Sequence, residues 1–203
     1  MKKKKFIIFV LFACVLVATQ VHADSITTYL NLTNENLGVS GNFATVVVTV
    51  NDATDTASFW VDANQTLLPP DTNFGIAEFF FNSSLTFAVN DFTLPTGWEV
   101  TLGSSNAGGG FGLFYADTAG TGSSRKDPLE FTVTNTGIVN AAQFFVANTE
   151  GHHYAAHIAG FTALGPDQKT SAKFSDGTPV PEPMTLLLLG LGLVGLAGLR
   201  RKF

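Results

Sequence analysis

The chain has 203 residues, a formal net charge of −5 and an aromatic content of 12%, which includes 19 phenylalanines. Most of its basic residues lie near the two termini, so the stretch 24–180 carries four basic and fifteen acidic residues, a formal charge near −11. Such an acidic surface repels nucleic acid and anionic lipid, which excludes a nucleic-acid-binding role.

Residues 1–23 have the three parts of a secretory signal peptide. Residues 2–5 are lysines, residues 6–18 form an apolar segment, and Ala23 is a small residue that suits signal peptidase. Cys14, the only cysteine, lies inside the apolar segment. The residues before it loosely resemble a lipoprotein cleavage box, so cleavage at Cys14 is the alternative to cleavage after Ala23. We predict an exported protein that begins near Asp24 and has neither disulfides nor thiolate catalysis.

Residues 24–165 have the pattern of a single all-β domain. Apolar and polar residues alternate with period two in several segments, and turn-rich spacers separate them. No alternation of strands with helices appears, which excludes a parallel α/β fold. We predict an antiparallel β-sandwich of about ten short strands, at residues 26–32, 43–51, 57–62, 77–81, 85–89, 98–102, 110–115, 129–134, 143–147 and 154–162.

One turn between predicted strands offers oxygen ligands for a cation. Asn51, Asp52 and Asp55 lie close together in the sequence, and their side-chain and backbone oxygens suit Ca²⁺. The spacing departs from an EF-hand loop, and the glycine and terminal glutamate of that loop are missing. Turn formation is the plainer explanation of these residues, and Ca²⁺ binding is the alternative.

The strand predicted at 57–62 carries a possible carbohydrate contact. Alternation places Phe59 and Val61 on one face, and Trp60 with Asp62 on the other. An exposed tryptophan beside a carboxylate can stack on a pyranose ring while the carboxylate accepts hydrogen bonds from its hydroxyls. The alternative is that a second sheet covers Trp60, because most tryptophans are largely buried.

Three histidines lie within six residues: His152, His153 and His157. In a helix or in a strand, His153 and His157 share a face, so the pair has a spacing that zinc can use. No neighbouring glutamate completes a zinc-hydrolase motif. We expect His157 to be structural, with no bound metal and no cofactor, and zinc binding is the alternative.

Residues 166–180 are polar and are predicted to form a linker between the domain and the membrane. Pro181, Glu182 and Pro183 follow. Proline lacks an N–H and pushes its predecessor toward extended conformations, so this stretch cannot continue a helix. It is predicted to lie outside the membrane.

The uncharged run 184–199 is predicted to form a single transmembrane helix. Its sixteen residues span about 24 Å, somewhat less than the ~30 Å hydrocarbon core, so insertion requires local thinning of the bilayer. Arg200, Arg201 and Lys202 then stay on the cytoplasmic side by the positive-inside rule.

Motif, apolar run and basic end occur in order at residues 181–203, and together they resemble the PEP-CTERM sorting signal of Gram-negative bacteria. The resemblance implies recognition of Pro181, Glu182 and Pro183 by an exosortase, followed by export towards the cell surface. It also implies association with exopolysaccharide, which proteins with this signal usually accompany. An ordinary single-pass anchor that follows prolines is the alternative.

The sequence therefore predicts a non-enzymatic surface or extracellular-matrix protein of a biofilm. Its precursor is held transiently in the inner membrane, and its expected partners are exosortase, signal peptidase and exopolysaccharide. A lectin-like module that contacts sugar through Trp60 and Asp62 is the main alternative. A hydrolase or metal-dependent enzyme has less support, because no nucleophile motif such as Gly-x-Ser-x-Gly occurs.

Overall fold

The computed structural model of the protein describes residues 24–120 and 122–177. The signal peptide predicted at 1–23 and the sorting signal predicted at 181–203, with its transmembrane segment 184–199, lie outside these residues. Within the described ranges, no helix is long and apolar enough to cross a membrane.

Ten β-strands and three short 3₁₀ turns make up the described structure. The strands are β1 (Asp24–Thr33), β2 (Ala44–Asn51), β3 (Thr56–Ala63), β4 (Pro70–Phe81), β5 (Phe92–Thr93), β6 (Trp98–Asn106), β7 (Leu113–Gly120), β8 (Leu129–Thr134), β9 (Tyr154–Leu164) and β10 (Lys169–Asp176). The 3₁₀ turns are Asp52–Thr54, Val89–Asp91 and Ala141–Phe144. An all-β, antiparallel domain is therefore confirmed.

The strands do not form the two separate sheets of the predicted sandwich. All ten pair in one antiparallel sheet, in the order β5-β8-β3-β2-β1-β10-β9-β4-β7-β6. The sheet curls into a nearly closed barrel, and its two end strands, β5 and β6, follow one another in the chain. Alternation reveals which side chains face inward, but the same pattern serves a sandwich and a curled sheet, so it could not separate the two.

The barrel is filled by phenylalanine. Phe59 lies at the centre, with its ring stacked on Phe131 at a centroid distance of 4.5 Å and tilted against Phe81 at 4.8 Å. Phe79 and Phe144 add edge contacts to the same ring, at 6.2 and 5.3 Å. Aromatic burial of this density supplies the core of a domain whose described residues contain no cysteine.

The predicted linker at 166–180 is wrong over most of its length, because β10 lies within it. β10 pairs with β1 on one side and β9 on the other, so the domain extends to Asp176 instead of ending at residue 165. Only Ala172 and Phe174 point their apolar side chains into the core from this strand. Two apolar positions among lysines, serines and an aspartate gave too weak an alternation to predict a strand.

Two other predicted strands are not strands. In the segment 85–89, Phe87 donates its backbone N–H to the Tyr115 hydroxyl at 2.8 Å, and that hydroxyl donates to the Phe87 carbonyl at 3.3 Å. The segment 143–147 begins in the 3₁₀ turn Ala141–Phe144 and then continues without regular structure. Asn140 caps the start of that turn by accepting from Gln143 N at 3.2 Å. In both places side chains satisfy backbone groups that a neighbouring strand would otherwise pair.

Candidate functional site

The outer surface of β3 carries the two residues singled out for sugar contact. The structure confirms that Trp60 and Asp62 share the face opposite Phe59, which is buried. Trp60 is partly exposed there, and no second sheet covers it within the described residues. The described residues therefore contain no second sheet over Trp60, although neighbouring segments still cover part of its side chain.

Trp60 lies in an open groove of about 800 Å³. Across the sheet it is directly opposite Val47 of β2 and Glu130 of β8. The segment after β5 contributes Pro95 to the groove, and the segment before β8 contributes Lys126. The groove thus combines apolar surfaces with one anionic and one cationic side chain, an arrangement that suits a ligand with both apolar faces and polar edges.

Asp62 does not line that groove. It lies in a second, smaller hollow of about 420 Å³, together with Tyr29, Thr45 and the turn that holds Gln65. Burial raises the pKa of the Asp62 carboxyl, and the negative charge of Asp127 raises it further. The second hollow is therefore polar and acidic, whereas the first is largely apolar.

Asp127 is fixed beside the second hollow by two hydrogen bonds. Ala63 N donates to Oδ1 at 2.9 Å, and Gln65 Nε2 donates to Oδ2 at 2.9 Å. A carboxylate with two donors is held in one orientation, so the Asp127 carboxylate has a fixed position next to Asp62. Sequence reasoning missed this neighbour, because 64 residues separate Asp127 from Ala63.

Tyr29 was also missed, although its strand was predicted. It is 49% exposed and lies opposite Thr45, which in turn lies opposite Asp62. The period-two alternation of β1 that buries Leu30 sends Tyr29 outward. That alternation was the available signal, and it was weakened by the short, polar side chains around it.

The three histidines have three different surroundings. His153 Nδ1 lies 2.6 Å from Asp176 Oδ2, and its ring stacks on Phe145 at a centroid distance of 3.7 Å. His152 Nδ1 lies 2.8 Å from the Asp176 carbonyl oxygen. His157 lies on the outer side of β9, where Nδ1 is 3.5 Å from Glu78 Oε2.

Asp176 is the centre of a buried network at the end of β10. Only 1% of it is exposed, and its Oδ1 accepts from the backbone N–H groups of His153 and Tyr154 at 2.9 and 3.0 Å. Ser175, also fully buried, donates its hydroxyl to the Tyr154 carbonyl at 2.7 Å. The network joins the last described strand to the start of β9, which is a structural role for His153.

No metal centre is formed in the part of the chain that the structure describes: no group of three or more His, Cys, Asp and Glu side chains there is arranged to hold an ion. In the turn considered for Ca²⁺, Asn51 Oδ1 accepts from Ala53 N at 3.2 Å, and Asp55 adopts a left-handed conformation with φ of 48°. These features explain the turn residues as turn-forming groups.

A second group of ionisable side chains lies on the opposite part of the sheet. Glu78 Oε2 is 3.5 Å from both His157 Nδ1 and Lys173 Nζ. A hydrogen bond from His157 lowers the pKa of Glu78, with the charge of Lys173 adding to the effect against the opposing effect of burial. Burial raises the pKa of Asp117 to about 6, and the charge of Glu78 contributes. None of these residues was singled out by the sequence apart from His157.

The residues predicted to direct sorting, Pro181, Glu182 and Pro183, and the basic end, Arg200, Arg201 and Lys202, lie outside the described structure. Their sequence is nevertheless decisive. Residues 179–202 match the PEP-CTERM protein-sorting motif.

This chain carries a PEP-CTERM sorting signal. The motif indicates export with a membrane-anchored C-terminal signal, and it implies processing by an exosortase. No curated protein and no solved structure matches the chain. The PEP-CTERM match therefore concerns the C-terminal region alone.

Proposed function

We propose that the chain is a non-enzymatic surface or extracellular-matrix protein, which an exosortase sorts through its C-terminal motif and which associates with exopolysaccharide. The observation that carries this proposal is the PEP-CTERM match over residues 179–202. In the exosortase reaction the chain is the substrate, and it supplies no catalytic group itself.

Each part of the C-terminal region has a physical role in the proposal. Pro181, Glu182 and Pro183 form the recognition element, and the uncharged run 184–199 holds the precursor in the inner membrane. Arg200, Arg201 and Lys202 keep the terminus cytoplasmic, so the domain lies outside. At the other end, residues 1–23 act as the signal peptide that signal peptidase removes.

The composition and core of the domain are compatible with a location outside the cell. The aromatic core around Phe59 needs no disulfide, so folding does not depend on an oxidant. The excess of acidic residues keeps copies apart by repulsion and maintains solubility. These features support a stable passive domain attached to a sorting signal.

Fractionation of the producing cells tests the proposal. We expect the wild-type protein in the exopolysaccharide fraction, and a variant that lacks residues 181–203 outside that fraction. Digestion of the polysaccharide should release the wild-type protein, with a soluble periplasmic protein as the control for leakage. Recovery of the wild-type protein in the medium, unaffected by the presence of polysaccharide, would contradict the association.

The placement of Trp60 favours a second candidate function, a carbohydrate-binding module. Its partly exposed indole lies in a groove of about 800 Å³ beside polar groups. Glycan-array binding tests this candidate: wild-type protein should bind at least one glycan, and Trp60→Ala should bind it about tenfold more weakly. Unchanged binding by Trp60→Ala would remove Trp60 from the contact.

A further inference from the structure

We propose that the two hollows on the convex face of β1, β2, β3 and β8 are consecutive parts of one binding strip, which holds an internal segment of a neutral, linear polysaccharide. The inference rests on the proposed association with polysaccharide and names the class of sugar polymer and the surface that takes it. It adds Tyr29 and Glu130 to the contact residues Trp60 and Asp62.

The pairing of the strands makes the two hollows neighbours. Tyr29, Thr45 and Asp62 lie opposite one another across β1, β2 and β3, and form one row. Val47, Trp60 and Glu130 form the next row, two residues along the same sheet. Because side chains two residues apart point to the same face, both rows project from one continuous surface.

Two aromatic side chains lie at separate positions along this surface. Tyr29 is on β1 and Trp60 is on β3, two strands and two residues away. Strand spacings of about 4.8 Å and a rise of about 3.4 Å per residue place their Cα atoms roughly 12 Å apart. This distance exceeds the width of one sugar ring, so the two aromatic side chains can stack on different rings of the same chain and cannot both serve a single terminal sugar.

The polar groups between the aromatic rings suit a polymer with many hydroxyls. Thr45 lies between Tyr29 and Asp62, and Thr49 and Ser58 line the groove beside Trp60. Hydroxyl side chains donate and accept, so they tolerate either role of a sugar hydroxyl. An ionised carboxylate accepts hydrogen bonds and donates none, so Asp62 and Glu130 offer strong acceptors at separate positions along the strip.

Charge decides between neutral and anionic polymers. Asp62, Asp127 and Glu130 lie on or beside the strip, and Lys126 is the cation that lines it within the described residues. The domain as a whole has fifteen acidic and four basic residues. A polymer of uronic acids or sulfated sugars would be repelled by both, so the electrostatics exclude an anionic chain, and we take an uncharged chain as the occupant.

Binding to a length series tests the strip. Protein purified from the producing cells is titrated with neutral linear oligosaccharides, gluco-, xylo- and mannan-type, from disaccharide to hexasaccharide, and with alginate as an anionic polymer. We expect affinity to rise at least about tenfold from disaccharide to hexasaccharide, because only the longer chain contacts both aromatic rings. Alginate should not bind.

Three single variants sharpen the test. Tyr29→Ala and Trp60→Ala should each weaken hexasaccharide binding about tenfold, through loss of one stacking surface. Leu113→Ala is the matched control, because Leu113 is 51% exposed but lies on β7, away from the strip. Its binding should equal that of the wild type.

Different failures have different meanings. If disaccharide binds as tightly as hexasaccharide and only Trp60→Ala weakens it, the strip is wrong, whereas sugar binding at the Trp60 groove stands. If the protein co-fractionates with exopolysaccharide but no neutral oligosaccharide binds, the strip is wrong and the matrix association stands. A concentration-dependent dimer that Trp60→Ala dissociates in sedimentation would assign the face to a second copy and overturn the inference.

Discussion

Phe59 and Trp60 are neighbours in β3, yet their rings lie on opposite faces of the same sheet. The Phe59 ring is 2% exposed and stacks on Phe131 inside the barrel, whereas Trp60 lies in an open groove outside it. A pair of adjacent aromatic residues thus separates the core from the candidate binding surface.

Alanine substitution of each residue should have very different effects on stability. Phe59→Ala should lower the free energy of unfolding by about 3–5 kcal/mol, because it leaves a cavity in the aromatic core. Trp60→Ala should lower it by about 1 kcal/mol, a shift in melting temperature of roughly 2–4 °C. Thermal melting of the two variants against the wild type measures the contrast; equal losses would mean that Trp60 is buried.

Asp176→Asn should destabilise the domain strongly. The substitution removes a buried negative charge that His153 and two backbone N–H groups contact, so we expect the free energy of unfolding to fall by about 3 kcal/mol. Chemical denaturation is the measurement. Asp167→Asn, at an exposed turn, is the control and should change stability by less than about 0.5 kcal/mol. If Asp176→Asn also lowers the free energy of unfolding by less than about 0.5 kcal/mol, the network contributes little to stability.

Asp117 should make stability fall as the pH rises. Its pKa is about 6 in the folded protein against 3.8 for the ordinary group, so between these values the folded state binds the proton that the unfolded state releases. The free energy of unfolding therefore decreases from pH 4 to pH 6 on account of this group, and the deficit persists at neutral pH.

Asp117→Asn removes that deficit. The pKa difference corresponds to roughly 3 kcal/mol, which solvent screening of a partly accessible carboxyl reduces to about 1–2 kcal/mol of added stability at pH 7. Denaturation at several pH values should show a flatter profile for the variant between pH 4 and 6. Asp71→Asn, at an exposed position of β4, should leave the profile unchanged. An Asp117→Asn profile identical to the wild type would contradict the raised pKa.

Glu182→Ala should slow the removal of the C-terminal region. Glu182 is the charged residue of the proposed recognition element and lies within the matched motif. We expect a membrane-bound precursor to accumulate, visible in a pulse–chase immunoblot. Thr178→Ala lies just before the match and should mature at the wild-type rate. Equal maturation of Glu182→Ala and wild type would remove Glu182 from the recognition element.

Period-two alternation predicted the parts of the fold in which it was strong. In β2, β3 and β8, apolar side chains at every second position face the core, and these strands have the predicted positions within one or two residues. The sequence did not predict β10, because this strand places only two apolar residues, Ala172 and Phe174, in the core. It also buries two polar residues, Ser175 and Asp176, whose hydrogen-bond partners lie in distant segments of the chain. Such satisfaction of buried polar groups cannot be read from local sequence.

The candidate site was predictable only in its centre. Trp60 and Asp62 follow from alternation within one strand, but Tyr29 and Glu130 join them through pairings between strands. Asp127 joins them through hydrogen bonds from residues more than 60 positions earlier in the chain. The sorting signal is the opposite case. Its motif, apolar run and basic end are contiguous, so the sequence alone identified it, and the match over residues 179–202 confirms it.

Intact mass spectrometry of the native protein from the producing cells, combined with N-terminal sequencing, tests the central claim that an exosortase processes this chain. The account predicts a mature form that begins near Asp24 and ends near residues 181–183, with or without a mass added by attachment. A mature form that still carries residues 186–203 would contradict it.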